Sequence, residues 1–502
     1  MRLATLIATL AMLPRAAFAD EGIRVFVVIV ANNGSYDGTR PPLRFADDDG
    51  VRYRELFRLY TEDVELFTVM DADTQQTFAD AVPNAKLPRR SELFEGLQRT
   101  FDKIRAARAS GARTAFYFIY SGHGDVRDGV GFVHLLDGPL TRQDLYAKVI
   151  EASPADVNHV VVDACNAYFM VASRGKGAKP AGDYAGLVKT LVSRETLDAH
   201  PNTGVVLATT TAAEVHEWSR VEAGVFSHEL RTAMSGAADA NGDGAVSYDE
   251  VAAFLAAANG GVPDPKARVQ ALTRPPRQNL AEPFVRVTTQ GSAAVFPKEW
   301  KGRFYVEDDR RVRFADLNKA AGQDLTLHLV PRPTYYVRAG DREYRLGQTN
   351  AGTSHDLGST PADPISVAAR GSAEDQLDAH LFAVPYDGEY ARGFAQARAL
   401  SDDPLAVTLD APAPPPADRL APWKIGAFAV AGSTAIAATV LEMMARHDAE
   451  LYRDSAGSRE DVRAHRERAD AQHDAAVVLG AVAGGALLSA GGMYLYQWLA
   501  ED

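Results

Sequence analysis

The chain has almost no cysteine: Cys165 is the single thiol among 502 residues. No disulfide can form within the chain, and a lone unpaired thiol is a candidate reactive group. An excess of positive charge is absent too, because 53 Lys and Arg residues stand against 66 Asp and Glu residues, for a formal net charge of −13. This charge balance argues against nucleic-acid binding.

Two apolar segments typical of buried parallel strands end in residues that can do chemistry. One runs into Ser121-Gly122-His123-Gly124 and the other into Asp163-Ala164-Cys165. In open α/β sheets, reactive side chains gather beyond the carboxyl ends of the strands, and a thiol beside an imidazole can act as a nucleophile. Either residue alone is more often structural, the cysteine as a small core residue and the histidine as a hydrogen-bonded loop residue. Together they favour a cysteine-nucleophile site.

Strand and helix patterns alternate over about residues 23–280. Strand-like runs are predicted at 24–30, 115–120, 159–163 and 204–209. Helical periodicity is predicted near 46–60, 91–108, 141–152 and 184–198. This alternation predicts an α/β fold with a doubly wound, parallel-rich sheet flanked by helices.

The two strand-end motifs together resemble the caspase-like cysteine peptidases, in particular the metacaspase and bacterial caspase-like branch. The resemblance covers about residues 23–280 and implies a caspase-like peptidase domain there. It implies that Cys165 attacks the scissile carbonyl, and that His123 protonates the leaving amine and then activates water. The backbone N–H groups of Gly124 and Cys165 are the expected oxyanion donors. The chemistry needs no cofactor.

The same resemblance implies a specificity. In that branch, the residues at the positions of Asp163 and Ser121 line the pocket that selects Arg or Lys, and Asp49 is the expected third member. Expected substrates are therefore proteins or peptides with basic residues. The chain departs from the pattern just after the cysteine, where Asn166-Ala167 replaces the usual small Ser-Gly pair.

The stretch from Glu217 to Ser227 resembles the segment that lines the peptide groove in these peptidases. Its aromatic residue, Trp218, lies near the start of the stretch. The alternative is an ordinary loop with a half-buried tryptophan.

Residues 239–250 match the ligand pattern of an EF-hand calcium loop, in which oxygen ligands come from positions 1, 3, 5, 7, 9 and 12. The candidate Ca²⁺ ligands are Asp239, Asn241, Asp243, the backbone carbonyl of Ala245, Ser247 and Glu250. Gly244 falls at position 6, where the loop turns sharply. Helical patterns flank the loop, so we expect bound Ca²⁺ with a structural or regulatory role; an acidic solvated loop is the alternative.

Beyond the peptidase region, residues 284–400 contain short alternating runs that predict a small β-sandwich. Residues 405–422 form a proline-rich linker. Residues 425–499 contain two long apolar runs, which predict a transmembrane helical hairpin with a charged loop at 446–474. A soluble amphipathic hairpin or a pair of buried core helices is the alternative.

The amino-terminal residues 1–19 have the charged start, apolar stretch and small-residue cleavage site of a secretory signal peptide. With an exported amino terminus, the peptidase domain is expected on the non-cytoplasmic side, periplasmic or extracellular, anchored to the membrane by the hairpin.

Two classes of function follow from these motifs. The first is an exported, membrane-anchored cysteine endopeptidase that cuts after Arg or Lys, with calcium as a candidate modulator. The second is a catalytically silent caspase-like scaffold or calcium-responsive adaptor at the membrane. The intact pair of Cys165 and His123, together with Asp163, favours the first.

Overall fold

The computed structural model forms two compact units, Met1–Pro412 and Ala413–Asp502. It describes residues 23–128, 130–164, 167, 197–209, 217–263, 268–287, 291–364, 380–400, 434–435, 437–448, 467–468, 470–486 and 489. The expected signal peptide at 1–19 and linker at 405–422 lie outside the described residues.

The strands of the amino-terminal region are β1 (Arg24–Asn32), β2 (Val64–Thr68), β3 (Ala85–Lys86), β4 (Thr114–Gly122), β5 (Gly124–Arg127), β6 (Val130–His134), β7 (Pro139–Thr141), β8 (Val157–Asp163), β9 (Thr203–Thr209), β10 (Glu217–Trp218), β11 (Ala223–Gly224), β12 (Ala245–Val246), β13 (Gln270–Arg274) and β14 (Val285–Arg286). Its helices are α1 (Ala46–Phe57), α2 (Ala72–Thr77), α3 (Arg90–Ala109), α4 (Arg142–Asp144), α5 (Val225–Thr232) and α6 (Tyr248–Asn259). Helix α4 continues into a π-helical turn at Leu145–Ile150, and α5 into another at Ala233–Ala237.

Seven of these strands form the central sheet, in the order β13-β9-β8-β4-β1-β2-β3. Every pairing is parallel except that of β13 with β9. The four predicted strands are all present as β1, β4, β8 and β9, and three of the predicted helices are present as α1, α3 and α4 with its π-helical continuation. The fold is therefore mixed α/β with a parallel-rich sheet. The helix expected at 184–198 lies almost entirely outside the described residues.

Helices cover both faces of the sheet because successive side chains of a strand point to opposite sides. On β1, Val27 and Ile29 join a buried cluster with residues of α1, α5 and α6, whereas Phe26, Val28 and Val30 join a second cluster with α3. A strand buried on both faces reads as a continuous apolar run, which is why β1, β4 and β8 are visible in the sequence.

Residues 292–364 form two small antiparallel-rich sheets. Their strands are β15 (Ser292–Phe296), β16 (Gly302–Asp308), β17 (Arg313–Lys319), β18 (Leu325–Leu329), β19 (Tyr335–Ala339), β20 (Arg342–Leu346), β21 (Ser354–Asp356) and β22 (Ala362–Pro364). The sheet orders are β18-β15-β21 and β17-β16-β19-β20-β22. Phe296 of the first sheet packs edge-on against Phe304 of the second, with ring centroids 5.3 Å apart. The range expected to be β-rich thus contains these eight described strands, and it ends in a helix, α7 (Gly388–Leu400).

The β-rich region shares a buried core with the central-sheet region. One apolar cluster contains residues of β1 and α5 together with Phe296, Leu317 and Val337. His228 Nε2 of α5 also lies 2.8 Å from the Asp316 carboxylate of β17, and both side chains are buried. The two regions therefore pack as parts of one compact unit.

In the second unit, the described residues 434–435, 437–448, 467–468, 470–486 and 489 are helical. His473 Nδ1 lies 2.9 Å from the Glu442 carboxylate. No helix among the described residues is both long enough and apolar enough to cross a membrane.

Candidate functional site

The ends of β4 and β8 lie side by side at one edge of the central sheet. Ser121 of β4 pairs in register with Asp163 of β8, and Asn32 at the end of β1 pairs with Gly122 on the other side of β4. Since these strands are parallel, the segments that follow all of them leave from the same edge. The sheet therefore brings the predicted residues Ser121, His123 and Asp163 to one place.

His123 lies between β4 and β5, with its side chain buried. Its Nε2 is 3.0 Å from the backbone carbonyl of Pro41. A carbonyl only accepts hydrogen bonds, so this contact assigns the proton to Nε2 and leaves Nδ1 with a lone pair in the neutral ring. Burial lowers the pKa of His123, against the opposing effect of the Pro41 carbonyl. Neutral His123 is therefore suited to accept a proton at Nδ1.

Gly124 begins β5, which pairs with β6 in an antiparallel ladder. His134 N donates to the carbonyl of His123 at 3.1 Å, so residues 123 and 134 form a hydrogen-bonded pair of this ladder. Such pairs alternate with non-hydrogen-bonded ones, and the next pair is Gly124 with Val133. The N–H of Gly124 therefore points away from β6, as a donor to an oxyanion requires.

Gly122 has a backbone conformation that few side chains tolerate, with φ of 151°. A Cβ at this position would lie 2.7 Å from both the Asn32 carbonyl oxygen and the Tyr120 hydroxyl. The strand end that carries His123 thus requires glycine here.

Replacing Gly122 with alanine is expected to lower the free energy of unfolding by about 2–4 kcal/mol, because backbone strain adds to a steric clash. Gly111→Ala is the matched control: Gly111 also has a positive φ, of 88°, and no atom of the described part of the chain lies within 4 Å of its added Cβ. That variant should lose only about 1 kcal/mol. Denaturant unfolding measures both, and equal losses would show that the clash at Gly122 is relieved without cost.

Asp163 ends β8 and is buried. Ser227 Oγ of α5 donates to its carboxylate at 2.6 Å. Burial raises the pKa of Asp163 to about 7, and the neighbouring Asp49 carboxylate adds to the rise. Asp163 is therefore close to half-ionised at neutral pH, and a cation placed beside it would favour the charged form.

Asp49 of α1 lies beside Asp163. A Cβ built on Gly224 would be 3.0 Å from the Asp49 carboxylate and 3.2 Å from that of Asp163, so the two acids flank one small space. Asp49 accepts from the Arg231 guanidinium at 2.7 Å and from the Gly224 N–H at 2.9 Å. Its charge is thus already paired inside the protein, and Asp163 is the less neutralised of the two.

The stretch from Glu217 to Ser227, which was predicted to line the peptide groove, forms the short hairpin of β10 and β11 and the start of α5. Trp218 is fully buried and packs edge-on against His228 at 5.8 Å between ring centroids. Glu217 accepts hydrogen bonds from the backbone N–H groups of Arg44 and Phe45, at 2.8 and 2.9 Å. This hairpin ties the loop before α1 to α5, and so holds the wall of the space around Asp49 and Asp163.

Arg231 and Tyr53, beside the two acids, were not predicted from the sequence. Glu217, Gly224 and Ser227 were predicted as members of the groove segment, but not with these contacts. Tyr53 lies on α1, and its ring sits 5.2 Å from the Arg231 guanidinium. Only spatial proximity to Asp49 marks them. Cys165 and the nearby Asn166 lie outside the described residues, and in the sequence Cys165 comes two positions after Asp163.

The candidate calcium loop is described in full. Gly242 and Gly244 have positive φ angles of 73° and 76°, as a tight loop needs. Asp239 accepts from the N–H groups of Gly242 and Gly244 at 2.8 and 2.9 Å. The strand inside the loop, β12, pairs with β14, so a segment from outside the loop holds it in place.

The last ligand of the loop, Glu250, has another role in this conformation. Its carboxylate accepts from the N–H and hydroxyl of Ser247, both at 2.8 Å, and so caps α6. Among the described residues, no group of three or more His, Cys, Asp or Glu side chains is arranged to hold a metal ion.

Comparison with known proteins gives structural likeness only. No protein-family model matches the chain, and no curated protein matches it. Among solved structures, it is similar to caspase-1 from Spodoptera frugiperda, at 10% identity over 42% of this chain and 70% of that one, with a TM-score of 0.25. It is also similar to a structure of pro-sf-caspase-1, at 12% identity over 51% of this chain and 92% of that one, with a TM-score of 0.31. A protein from Geobacter sulfurreducens is similar at 16% identity over 50% of this chain and 94% of that one, with a TM-score of 0.30. The solved structures that resemble this chain thus include caspases.

Proposed function

We propose that this protein is a cysteine endopeptidase of the caspase-like type, which hydrolyses peptide bonds after Arg or Lys. The observation that carries the proposal is the pairing of Ser121 with Asp163 at the edge of the sheet, because it brings His123 and the strand that leads to Cys165 to the same edge. The buried acid Asp163 beside that edge supports selection of a basic side chain.

The proposed mechanism uses only residues of this chain. Nδ1 of His123 takes the thiol proton of Cys165, and the thiolate sulfur attacks the scissile carbonyl carbon. The Gly124 N–H stabilises the resulting oxyanion. The protonated imidazole then gives its proton to the departing amine as the C–N bond breaks. Water, deprotonated by His123, hydrolyses the thioester and releases the acid and the free thiol.

The charges near Asp163 support a basic substrate residue. Asp49 is balanced by Arg231 at 2.7 Å, whereas Asp163 has a neutral partner, the hydroxyl of Ser227, at 2.6 Å. A guanidinium or ammonium group from a substrate would supply the missing cation. An acidic substrate residue would instead be repelled by both carboxylates.

A panel of fluorogenic peptides tests the proposal directly. Purified full-length protein is expected to cleave peptides with Arg or Lys before the scissile bond at least ~100-fold faster than peptides with Asp, because a buried unpaired charge is worth several kcal/mol. Peptides that differ only at that residue provide the matched controls. A preference for Asp would mean that the pocket is wrongly assigned.

The alternative is a catalytically silent scaffold or calcium-responsive adaptor of the same fold. The buried His123 favours the enzyme. Its Nε2–H bonds to the Pro41 carbonyl, so Nδ1 is left to accept a proton, as the proposed mechanism requires. Lack of labelling of Cys165 by a reactive-cysteine probe, together with no cleavage of any peptide in the panel, would favour the scaffold.

We also propose that Ca²⁺ binds residues 239–250 and modulates the peptidase. A direct path supports the coupling: Tyr248, the first residue of α6, lies with its hydroxyl 2.7 Å from Nδ1 of the buried His159 on β8. His159 and Asp163 lie on the same strand. A shift of α6 on metal binding would therefore act on the strand that precedes Cys165.

Glu250→Gln is expected to weaken Ca²⁺ binding about tenfold or more and to reduce the calcium-dependent rise in Tm, because it removes the bidentate carboxylate. Asp249→Asn is the matched control, since this neighbouring acid is mostly exposed and pairs with Arg398 at 3.5 Å instead of facing the loop. Thermal unfolding with and without Ca²⁺ measures both variants. An identical shift in Glu250→Gln and wild type would place the metal elsewhere.

Export and membrane attachment are proposed from the sequence alone. The charged and apolar pattern of residues 1–19 supports secretion, and the apolar runs within 425–499 support an anchor. With this arrangement the peptidase domain would work on the non-cytoplasmic side, on protein or peptide substrates with basic residues.

A further inference from the structure

A cleft lined by arginines lies between α1, α5 and the β-rich region. It is a partly open cleft with about 410 Å³ of space between atoms, open solvent included. Its charged lining consists of five arginines and two acids: Arg52, Arg231, Arg310, Arg313, Arg332, Glu55 and Asp308. Cations thus outnumber anions on its walls.

Three of these arginines pair with acids of the lining or of the β-rich region, and a fourth, Arg231, pairs with Asp49 at 2.7 Å. Arg310 donates to Asp308 at 2.6 Å and reaches Glu55 at 3.4 Å. Arg332 pairs with Glu55, and Arg313 with Asp316 at 2.8 Å. Glu55 and Asp308, the two acids of the lining, are both taken up by these pairs. Arg52 and Arg231 therefore have no carboxylate partner within the lining.

Arg52 and Arg231 are buried and incompletely satisfied. Among the described residues, Nε and Nη2 of Arg52 and Nη2 of Arg231 find no hydrogen-bond partner. The side chains of both residues are only 6% exposed. The carboxylates near Arg52 are distant, with Asp48 at 3.9 Å and Glu222 at 4.0 Å. A buried charged donor without an acceptor is costly, and these two guanidinium groups also repel each other.

We propose that this cleft binds a small oxyanion of the phosphate class, held by Arg52 and Arg231. The planar forks of two guanidinium groups match the oxygens of a tetrahedral oxyanion, and the several oxygens of one such ion can accept from all three unpaired nitrogens. The unpaired N–H groups supply the donors that such an ion needs.

A wider cleft of about 760 Å³ adjoins the first and shares Glu55, Val330 and Arg332 with it. Its lining includes Arg58, whose side chain is 45% exposed. Two acids, Glu55 and Asp80, also line this second cleft. The proposal concerns binding and does not depend on the peptidase activity.

The test uses the full-length protein and inorganic phosphate. Wild-type protein is expected to show a saturable rise in Tm with phosphate, and chloride at matched ionic strength should not reproduce it. Arg52→Gln should weaken the apparent phosphate affinity about tenfold or more, the scale of one lost charge-assisted contact. Arg58→Gln, in the adjoining cleft, is the control and should keep the wild-type affinity. No phosphate-specific shift in wild type, or an unchanged affinity in Arg52→Gln, would overturn the proposal.

A second measurement needs no variant, in case Arg52→Gln does not fold. Wild-type protein is treated with an arginine-modifying dicarbonyl, with and without phosphate, and the modified residues are mapped by mass spectrometry. Phosphate is expected to slow modification of Arg52 and Arg231 at least about threefold relative to Arg58. Equal modification rates in the presence and absence of phosphate would contradict binding in this cleft.

Discussion

Replacing Cys165 with alanine is expected to reduce cleavage of Arg- and Lys-containing peptides by about 10⁴-fold or more, to the background rate, because it removes the only nucleophile of the proposed mechanism. Peptide hydrolysis by wild-type and variant protein, prepared side by side, measures the loss. The replacement removes one sulfur atom from a small side chain, so the fold should be retained.

Because the chain has a single cysteine, loss of the Cys165 thiol can be measured directly. Titration of thiols under denaturing conditions should give one thiol per wild-type chain and none in Cys165→Ala, since no other cysteine is present. Circular dichroism and Tm of the variant check that the fold persists. His123→Ala, which keeps the thiol, should lose activity by a comparable factor. Near-wild-type activity in Cys165→Ala, with its fold intact, would end the peptidase proposal.

The strands that position the site were predictable because they are buried on both faces. β1, β4, β8 and β9 read as unbroken apolar runs, and their ends give the positions of Ser121, His123 and Asp163. β2, β3 and β13 were not predicted. β2 and β3 are short, with five and two residues. Their strand conformation depends more on pairing with the sheet than on their own composition.

The surroundings of the acids could not be predicted, because they are assembled from distant parts of the chain. Asp49 and Arg231 are 182 residues apart in sequence and form a buried pair. The link between Tyr248 and His159 spans 89 residues. No local pattern marks such partners, since an arginine in a helix is more often solvent-exposed than buried.

The shared core of the two regions was also not visible in the sequence. Side chains along β15 and β16 are alternately buried and partly exposed, which is typical of a sheet with one covered face. Which element covers that face depends on the tertiary fold. In the structure, contacts such as His228 with Asp316 join α5 to β17. The β-rich region therefore supports the same helix that holds Ser227 and Arg231 beside the acids.

Asp163→Asn is expected to lower kcat/KM for Arg and Lys substrates by about 100-fold, because the substrate cation loses its charged partner. Asparagine keeps an oxygen that can accept from the Ser227 hydroxyl, so the variant should fold. The free acid has a pKa of about 7, raised by burial. Below pH 7 it is protonated and offers no charge, whereas above pH 7 it is ionised.

The activity of wild-type protein on Arg substrates should therefore rise as pH increases toward 7, by up to about tenfold per unit from this group, and level off above it. In Asp163→Asn this component should disappear, while the component from Cys165 and His123 persists. Comparing kcat/KM-pH profiles of the two proteins isolates the contribution of Asp163.

Asp63→Asn provides the matched control. Asp63 directly precedes β2, so it lies at the amino-terminal edge of the parallel sheet, opposite the proposed site, where it pairs with Lys103 at 2.9 Å. The same chemical change there removes two surface ion pairs, with Lys103 and with Arg24 at 3.5 Å, each worth about 0–1 kcal/mol of stability, and should leave kcat/KM and its pH profile unchanged. If both variants kept the wild-type activity on Arg substrates, Asp163 would not be the specificity residue. Its raised pKa would then reflect burial beside Asp49 alone.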